Sequence, residues 1–212
     1  MKTVLITGFE PFGGDQLNPS QEIARQLNGR VIAGCRVIGR ILPCEFGAAN
    51  AALRRILRET DPALVIAVGQ AGGRSDITPE RVAINVDDAR IADNAGAQPV
   101  DAPVVARGPT AYWSTLPIKA IVATLRAHEI PAAVSQTAGT FVCNHVFYSL
   151  MHALRARRGV RGGFIHVPFL PEQAKQGQPS LPQKVMIEAI ALAVAVSVRT
   201  RRDRREAGGQ IH

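Results

Sequence analysis

Cys143 is a residue whose type and position can support nucleophilic chemistry. A β-type run at 132–135 leads to it through a short loop, and the apolar period that follows predicts a helix over 141–157. With Thr140 as the N-cap, Cys143 is the third helical residue, where free backbone N–H groups and the helix dipole stabilise a thiolate. The same N–H groups can bind an oxyanion. The alternative is that Cys143 is a small buried apolar residue.

His166 is the histidine best placed to act on that cysteine. It lies near the carboxyl end of a predicted strand at 163–167, at the sheet edge where Cys143 is also expected. The alternative is a hydrogen-bonded core histidine. The remaining histidines are poorer partners, because they lie on helix faces or at the chain end: His128, His145, His152 and His212.

A carboxylate that orients the imidazole commonly completes a cysteine–histidine pair. The irregular segment 69–112 contains five candidates: Asp76, Glu80, Asp87, Asp88 and Asp93. Most loop carboxylates are solvated surface charges, and spacing does not choose among these five. The other cysteines are weaker nucleophile candidates, since Cys35 lies in a β-rich run and Cys44 lies in a loop without a nearby histidine.

The elements that position these residues alternate between β-branched apolar runs and segments with helical period. This alternation predicts an α/β fold with a mostly parallel central sheet covered on both faces. Strands are predicted at 4–7, 64–68, 132–135 and 163–167, a β-rich stretch at 31–42, and helices at 19–27, 46–59, 118–128, 141–157 and 183–199. Ligands of open α/β sheets bind beyond the carboxyl ends of the strands. That edge is formed by the loops at 8–14, 69–79 and 136–140 and by the segment from 168 onward.

The loop 8–14 is rich in glycine but does not have the pattern of a phosphate loop. It lacks the Lys-Ser/Thr ending and the GxGxxG spacing, so we reject a nucleotide site. Its two phenylalanines, Phe9 and Phe12, suit the lining of a small apolar pocket, with core packing as the alternative. After the loop, Asn18 is predicted to cap the first helix, with Pro19 at its first position.

The composition predicts a single domain over residues 1–212. The chain is 46% hydrophobic and 20% charged, which is enough material for one core. The formal net charge is +8, but five arginines and two acidic residues fall in the last fourteen residues. We therefore expect a basic, frayed tail from about residue 200. No nucleic-acid partner is predicted, because the basic residues are not interleaved with aromatic ones.

The sequence predicts neither a membrane segment nor a secretion signal. The longest apolar run, 187–198, is interrupted by Glu188 and Ser197 and is shorter than the roughly 20 residues that a membrane span needs. The apolar run at the N-terminus is short and leads straight into the loop 8–14. Three cysteines without CxxC spacing predict no disulfide framework and no zinc site. We expect a reducing compartment and a cytoplasmic protein.

Six blocks of the sequence, taken together, resemble the pyroglutamyl peptidase I (pyrrolidone carboxyl peptidase) family of cysteine peptidases. The blocks are TGFEPFGG with NPS (7–20), VGQAGGR (68–74), TPERVAIN with ARI and DN (78–94), AYW with LPIK (111–119), SQTAGTFVCNH (135–145) and GGFIHVPFLPEQ (162–173). They span most of the chain in order. The region 30–59 and the C-terminal tail carry little of the resemblance, so Cys44 and the arginine cluster remain particular to this sequence.

The resemblance implies a three-layer α/β/α sandwich and a catalytic triad of Glu80, Cys143 and His166. It selects Glu80 where spacing leaves five carboxylates open. It also implies a pocket for the pyrrolidone ring with the following lining and anchors: Phe9, Phe12, Ile91, Phe141 and Val142, the backbone of Gln70, the side chain of Asn18, and Arg90 beside the nucleophile.

The activity implied by the resemblance is hydrolysis of the bond after an N-terminal pyroglutamyl residue through a thiol acyl-enzyme. The substrates are peptides with N-terminal pyroglutamate, and the family is often a homotetramer. No metal or cofactor is needed, because the cysteine, the histidine and the helix N–H groups supply nucleophile, acid/base and oxyanion binding.

Two other classes of protein were compared with this interpretation. A catalytically idle binding protein that keeps the ring pocket is expected to lack a triad residue, whereas all three are present. A nucleoside phosphorylase-like transferase on a similar fold needs arginines and glycine N–H groups for phosphate near the first loop. That loop instead carries Glu10 and two phenylalanines.

Overall fold

Strands and helices alternate through most of the computed structural model, which describes residues 1–209. The strands are β1 (Thr3–Phe9), β2 (Val31–Ile32), β3 (Cys35–Leu42), β4 (Leu64–Gln70), β5 (Thr78–Pro79), β6 (Val82–Ile84), β7 (Ala111–Trp113) and β8 (Arg161–Val167). The helices are α1 (Pro19–Leu27), α2 (Ala48–Thr60), α3 (Ile118–Ala127), α4 (Val142–Leu154) and α5 (Gln183–Arg199). Within residues 1–209, none of the helices is long and apolar enough to cross a membrane.

The main sheet has the strand order β2-β3-β1-β4-β8-β5, and its four central strands are parallel. β2 and β5 pair antiparallel at the two edges. Successive side chains of a strand point to opposite faces, so Val4 and Ile6 of β1 enter one core and Leu5 enters the other. Helices α1, α3 and α5 cover the first core, whereas α2 and α4 cover the second. This confirms the predicted α/β fold with a mostly parallel sheet.

The strand order changes direction between β1 and β4. From β1 the chain passes through α1 to β3 on one side, and then through α2 to β4 on the other side of β1. Pairing between these two strands ends at Thr7 and Ala67, so Phe9 and Gln70 lie beyond the shared ladder. Open α/β sheets bind ligands in the crevice at such a point. The fold therefore places a crevice between the loop after β1 and the end of β4.

The segment 132–135 is not the regular strand that its composition predicts. It forms isolated parallel bridges to residues 77–80. Pro79 has no N–H to donate, so a continuous ladder along β5 cannot form. The bridge between Glu80 and Ser135 nevertheless places Glu80 beside the loop that leads to α4.

The arginine-rich segment after α5 differs from the frayed tail that we expected from about residue 200. Asp203 accepts hydrogen bonds from the backbone N–H groups of Lys119 (3.0 Å to Oδ2) and Ala120 (2.9 Å to Oδ1). It thereby caps α3, whose own N-cap residue, Pro117, provides no side-chain hydrogen bond. The composition shows the charge of this segment but not the contact of one aspartate with a distant helix end.

The end of the described tail also contacts the segment after β5. The carbonyl oxygen of Gly208 accepts a hydrogen bond from Arg81 Nη2 at 3.0 Å, and the carbonyl oxygen of Glu206 accepts one from Lys119 Nζ. Asp203 and Glu206 therefore contact α3, and Gly208 contacts the segment that follows β5. His212 lies outside the described residues.

Replacing Asp203 by alanine is expected to lower the free energy of unfolding by about 1 kcal/mol, because two N–H groups of α3 lose their acceptor. Urea unfolding of the full chain measures this change. Arg205, which is exposed, supplies the control, and Arg205→Ala should stay within about 0.5 kcal/mol of the wild type. Equal stability of the two variants would contradict the cap. Well below the unfolding temperature, kcat and KM of Asp203→Ala should match the wild type, because the contacts of Asp203 are with α3.

Candidate active site

A buried hydrogen bond between His166 and Glu80 forms the centre of the site. His166 lies on β8 opposite Gly69 of β4, and Glu80 follows β5 with its backbone N–H donating to the carbonyl of Phe164 at 2.9 Å. His166 Nδ1 is 2.7 Å from Glu80 Oε1, and the side chains are 4% and 0% exposed. An ionised carboxylate can only accept, so Nδ1 carries the proton and Nε2 remains a proton acceptor.

The surroundings of this pair set its charges. Burial lowers the pKa of His166, and the hydrogen bond and charge of Glu80 oppose this without reversing it. Burial raises the pKa of Glu80, but the hydrogen bond from His166, the charge of His166 when it is protonated, and the permanent charge of Arg74 bring it below the ordinary glutamate value. At neutral pH the pair is therefore an ionised carboxylate beside a neutral imidazole.

Cys143 lies at the amino end of α4, one residue closer to the helix start than predicted. Phe141 is the N-cap and Val142 the first helical residue. The hydroxyl of Thr140, the predicted cap, instead donates to the carbonyl of Asp88 at 2.7 Å. The first turn of a helix leaves its N–H groups without intrahelical acceptors, so such groups remain available beside Cys143.

Gly69 provides the space that the Cys143 side chain occupies. A Cβ atom on Gly69 would stand 2.9 Å from Cys143 Sγ and 2.7 Å from Phe164 Cζ. Gly69 is also the residue that pairs with His166 across the β4–β8 ladder. The sulfur therefore lies over the strand adjacent to the one that carries His166, and neighbouring strands are about 4.8 Å apart.

The surroundings of the half-buried Cys143 favour the protonated thiol, whereas its position at the helix start favours the thiolate. Burial raises the pKa of Cys143 from 9.0 to about 12, the Glu80 carboxylate adds to the rise, and Arg74 opposes it. One pKa unit corresponds to about 1.4 kcal/mol, so a helix N-terminus worth about 0.3–1 kcal/mol does not reverse this shift. Removal of the thiol proton therefore needs a base, and His166 Nε2 is a neutral acceptor.

Of the five candidate carboxylates, Glu80 is the one in contact with His166. Asp76 is half-buried and accepts a hydrogen bond from Ser75 Oγ at 3.0 Å, and Asp88 is exposed. Asp93 is buried and accepts hydrogen bonds from three backbone N–H groups, which fixes the loops on either side of it.

Asp87, the remaining carboxylate, belongs to a second buried histidine. His145 Nδ1 lies 2.7 Å from Asp87 Oδ2, and His145 Nε2 contacts the backbone nitrogen of Gly47 at 3.0 Å and Asn50 Nδ2 at 2.7 Å. Because the Gly47 N–H donates to Nε2, Nδ1 carries the proton that points to Asp87. His145 therefore connects α4 to the start of α2 and is not oriented toward Cys143.

An aromatic cluster lies beside the start of α4. The ring centroids of Phe12 and Phe141 are 5.8 Å apart, and Phe46 meets Phe141 edge-on at 5.4 Å. Ile91 Cδ1 lies 3.8 Å from the position that a Cβ would take on Gly13, in the loop that carries Phe12. The structure thus brings together Phe12, Ile91 and Phe141 of the predicted ring pocket.

Phe9 and Val142, also predicted to line the pocket, are packed in the second core. Phe9 is 2% exposed and Val142 is fully buried. The Phe9 ring lies 6.3 Å from that of Phe164, which in turn lies 4.8 Å from the imidazole of His166. Phe9 and Val142 therefore belong to the core that supports the site. Phe9 lies there because the side chain of the last residue of β1 points into the packed face of the sheet.

The side chain of the predicted anchor Asn18, and that of Gln70, whose backbone is the other predicted anchor, take part in networks of their own. Asn18 Oδ1 accepts from the N–H of Ser20 at 3.0 Å, which caps α1 as predicted, and its Nδ2 donates to the carbonyl of Glu10 at 3.0 Å. Gln70 Oε1 accepts from Gln173 Nε2 at 2.9 Å. Asn18 therefore holds the loop after β1, and Gln70 joins the end of β4 to the segment after β8.

Arg90, which the resemblance places beside the nucleophile, remains a predicted site residue. Its side chain is exposed, and the arginine whose charge acts on the Cys143 thiol is Arg74. Arg74 Nη1 lies 2.6 Å from Glu80 Oε1. The sequence contains Arg74 at the end of the VGQAGGR block, but nothing in the spacing connects it with Glu80.

Phe46 is a second residue of the site that the sequence did not identify. It lies in the region 30–59, where the resemblance is weak, and its burial depends on contacts with Phe141 and with His145, whose ring centroid is 5.2 Å away. For metal binding, residues 1–209 contain no group of three or more His, Cys, Asp or Glu side chains arranged to hold an ion.

Comparison with known proteins gives one consistent result. Residues 2–200 match the family model described as "Pyroglutamyl peptidase". The chain is 60% identical to a pyrrolidone-carboxylate peptidase of Cupriavidus pinatubonensis and 62% identical to one of Chromobacterium violaceum, with 100% of both chains covered in each case.

Solved structures agree with the sequence comparison. Pyroglutamyl peptidase I from Bacillus amyloliquefaciens is similar with a TM-score of 0.92 and 47% identity, covering 96% of this chain and 100% of that one. The pyrrolidone carboxyl peptidase from Thermococcus litoralis has a TM-score of 0.93 and 43% identity, covering 98% and 99% of the two chains.

Proposed function

The chain belongs to the pyroglutamyl peptidase family, and we propose from this premise that it cleaves its substrates through a thioester on Cys143, with His166 as acid and base and Glu80 as the residue that orients His166. As a member of this family of cysteine peptidases it removes N-terminal pyroglutamyl residues. Peptides with N-terminal pyroglutamate are the proposed substrates.

Acylation begins from the neutral thiol and neutral imidazole described above. His166 Nε2 takes the thiol proton as Sγ attacks the pyroglutamyl carbonyl carbon, and the carbonyl oxygen becomes an oxyanion beside the N–H groups of the first turn of α4. The imidazolium formed in this step is stabilised by the Glu80 carboxylate at Nδ1. Nε2 then gives its proton to the leaving amine, the C–N bond breaks, and the thioester remains.

Deacylation reverses the same proton path. Water gives a proton to His166 Nε2 and its oxygen attacks the thioester carbonyl, so the C–S bond breaks and the sulfur leaves with the proton from Nε2. Pyroglutamate is released, and the site returns to a neutral thiol, a neutral imidazole and an ionised Glu80.

The observation that carries this proposal is the placement of Cys143 Sγ over Gly69, the ladder partner of His166. The placement supports a role for Cys143 because its sulfur lies against the backbone of the residue that pairs with His166. A Cβ atom on Gly69 would stand only 2.9 Å from that sulfur. The aromatic cluster of Phe12, Phe46 and Phe141 supports a neutral, apolar ring site beside the same helix end.

A pyroglutamyl chloromethyl ketone tests the nucleophile, because it places an electrophilic carbon where the scissile carbonyl binds. We expect loss of hydrolysis of a fluorogenic pyroglutamyl amide in step with alkylation of one residue, Cys143, identified by peptide mass mapping. Free pyroglutamate should slow both processes equally. The Cys44→Ser variant should still be alkylated at Cys143. Alkylation of Cys44 or His166 in step with inactivation, with Cys143 unmodified, would overturn the assignment.

The remaining expectations have not been tested by these observations and stay predictions. They are the single domain over residues 1–212, the homotetramer and the cytoplasmic location. The three cysteines are free thiols, which is consistent with a reducing compartment.

A further inference from the structure

Arg74 connects three parts of the site through its guanidinium group. It lies in the loop after β4, and its Nη1 donates to Glu80 Oε1 and to Thr78 Oγ1, both at 2.6 Å. Its Nη2 donates to the carbonyl oxygen of Thr137 at 2.9 Å. Glu80 Oε1 therefore receives both Arg74 and His166, and Arg74 also holds the loop that leads to Cys143.

The charge of Glu80 at rest depends on a permanent cation. A carboxylate that is 0% exposed loses its hydration, which favours the protonated form. His166 cannot supply the compensating charge between turnovers, because burial lowers its pKa and leaves the imidazole neutral. Arg74 can, because a guanidinium stays protonated at all working pH values.

The exposure of Arg74 lowers the cost of placing a cation there. Its side chain is 28% exposed, while Glu80 is fully buried. The guanidinium thus keeps part of its hydration while one edge faces the carboxylate. An ion pair of this kind avoids much of the desolvation cost of two fully buried charges.

We propose that Arg74 is a positioning residue for the proposed reaction, which keeps Glu80 ionised and directed at His166 while the imidazole is neutral, and which fixes the loop before Cys143. The inference rests on the proposed function, in which Glu80 orients His166. Arg74 acts through Glu80 and Thr137 and is not assigned a contact with substrate.

Loss of the Arg74 charge should change the pH dependence in one direction. Without it the pKa of Glu80 rises, and so does the pKa of His166, because the Arg74 charge adds to burial in lowering that pKa. Activity needs an ionised Glu80 and a neutral His166, so both changes move the acidic limb of the profile to higher pH. A structural role alone would lower activity without moving this limb.

The test is the pH profile of kcat/KM for a fluorogenic pyroglutamyl amide with Arg74→Gln and Arg74→Lys. Arg74→Gln is expected to move the acidic limb upward by about one pH unit or more, since an adjacent opposite charge shifts a carboxyl pKa by about 1–3 units. It should also lower kcat/KM at neutral pH by at least about tenfold. Arg74→Lys keeps the charge, so its acidic limb should stay close to that of the wild type.

Arg81 supplies the matched control, because it lies next to Glu80 in sequence but its side chain points elsewhere. Its Nε donates to Gln136 Oε1 at 2.8 Å and its Nη2 to the carbonyl of Gly208. Arg81→Gln removes the same charge and should leave the acidic limb in place. An equal shift in Arg81→Gln, or an unshifted limb in Arg74→Gln, would overturn the proposal.

Failure of the inference can be told apart from failure of the proposed function. If the wild type does not hydrolyse the amide, the proposed function itself fails. The pH dependence of Cys143 alkylation gives a second readout without turnover, because burial and Glu80 raise the pKa of Cys143 and Arg74 opposes them. In Arg74→Gln the alkylation profile should move to higher pH, and an unchanged profile in a folded variant would contradict the role of this charge.

Discussion

Replacing Cys143 by alanine is expected to lower kcat for a pyroglutamyl amide by about 10⁴-fold or more, because the thioester route is lost with the sulfur. His166→Ala should cause a loss of similar size, since the thiol is protonated at rest and needs that imidazole to become a nucleophile. The double variant should add little to either single one, because the two residues act in the same step. Steady-state rates with a fluorogenic leaving group measure all three.

Two further variants make this expectation specific to the site. Cys35→Ala changes a buried thiol on β3 in the first core. Its kcat should stay within about a few-fold of the wild type, because Cys35 lies outside the proposed site. Glu80→Gln keeps a hydrogen-bonding side chain but loses the charge, so its loss should be smaller than that of His166→Ala. Additive losses in the Cys143 and His166 double variant would contradict a shared step.

The elements of the fold that could be predicted from the sequence are those with a strong local period. The last helix was predicted over 183–199 and is found over the same residues, and the predicted strand at 163–167 lies within β8. Both follow from an apolar pattern within the segment itself, whatever element packs against it. The segment 132–135 has the composition of a strand but forms only isolated bridges, because Pro79 in the facing segment has no N–H to donate. The local pattern of residues 132–135 does not show this partner.

Cys143 and His166 could be predicted as nucleophile and acid/base because the ends of parallel strands meet at one sheet edge. Glu80 could not be chosen from spacing, because it lies 86 residues from His166 and follows β5, a strand of two residues. The resemblance selected it. For the same reason the sequence did not show that Asp203 caps α3, because the two are 84 residues apart.

The covering of Cys143 by protein opposes the thiolate that its helix position favours. A sequence shows that a cysteine begins a helix, but it does not show how much protein covers the sulfur or that Glu80 adds a negative charge nearby. Arg74 escaped notice for the same reason, since its importance lies in a contact with Glu80 rather than in its own surroundings in the chain. Electrostatic roles therefore required the three-dimensional arrangement.

The second large effect concerns the substrate's first residue, and it follows from charge. A pyroglutamyl ring is neutral, whereas an N-terminal proline or glutamine carries an ammonium group. The ring site that we propose is bordered by Phe12, Phe46 and Phe141. Burying an ammonium among aromatic rings without a paired carboxylate is costly.

Carboxylates near this cluster are already engaged by other donors. Glu10 Oε1 accepts from the backbone N–H of Cys44 at 3.1 Å and from Asn94 Nδ2 at 3.0 Å. Asp93 Oδ2 accepts from the backbone N–H of Phe46 at 2.7 Å. Both carboxylates therefore hold the loops around the cluster, whereas a neutral ring needs no carboxylate partner.

We therefore expect kcat/KM for prolyl and glutaminyl amides to be about two orders of magnitude or more below that for the pyroglutamyl amide with the same leaving group. The lactam N–H and C=O each need a hydrogen-bond partner in the site. A site group left unpaired by a substrate without the lactam costs roughly 1–3 kcal/mol, which adds to the cost of burying the ammonium. Inhibition by 2-pyrrolidone separates recognition of the lactam from the cost of the ammonium, because this compound has the lactam but no bond that the enzyme can cleave. It should inhibit, whereas pyrrolidine, which has the ring and the charge but no lactam, should not. A prolyl amide cleaved within about tenfold of the pyroglutamyl one would contradict the neutral pocket even if Cys143 is the nucleophile, because a tenfold ratio corresponds to about 1.4 kcal/mol, less than a buried unpaired ammonium must cost.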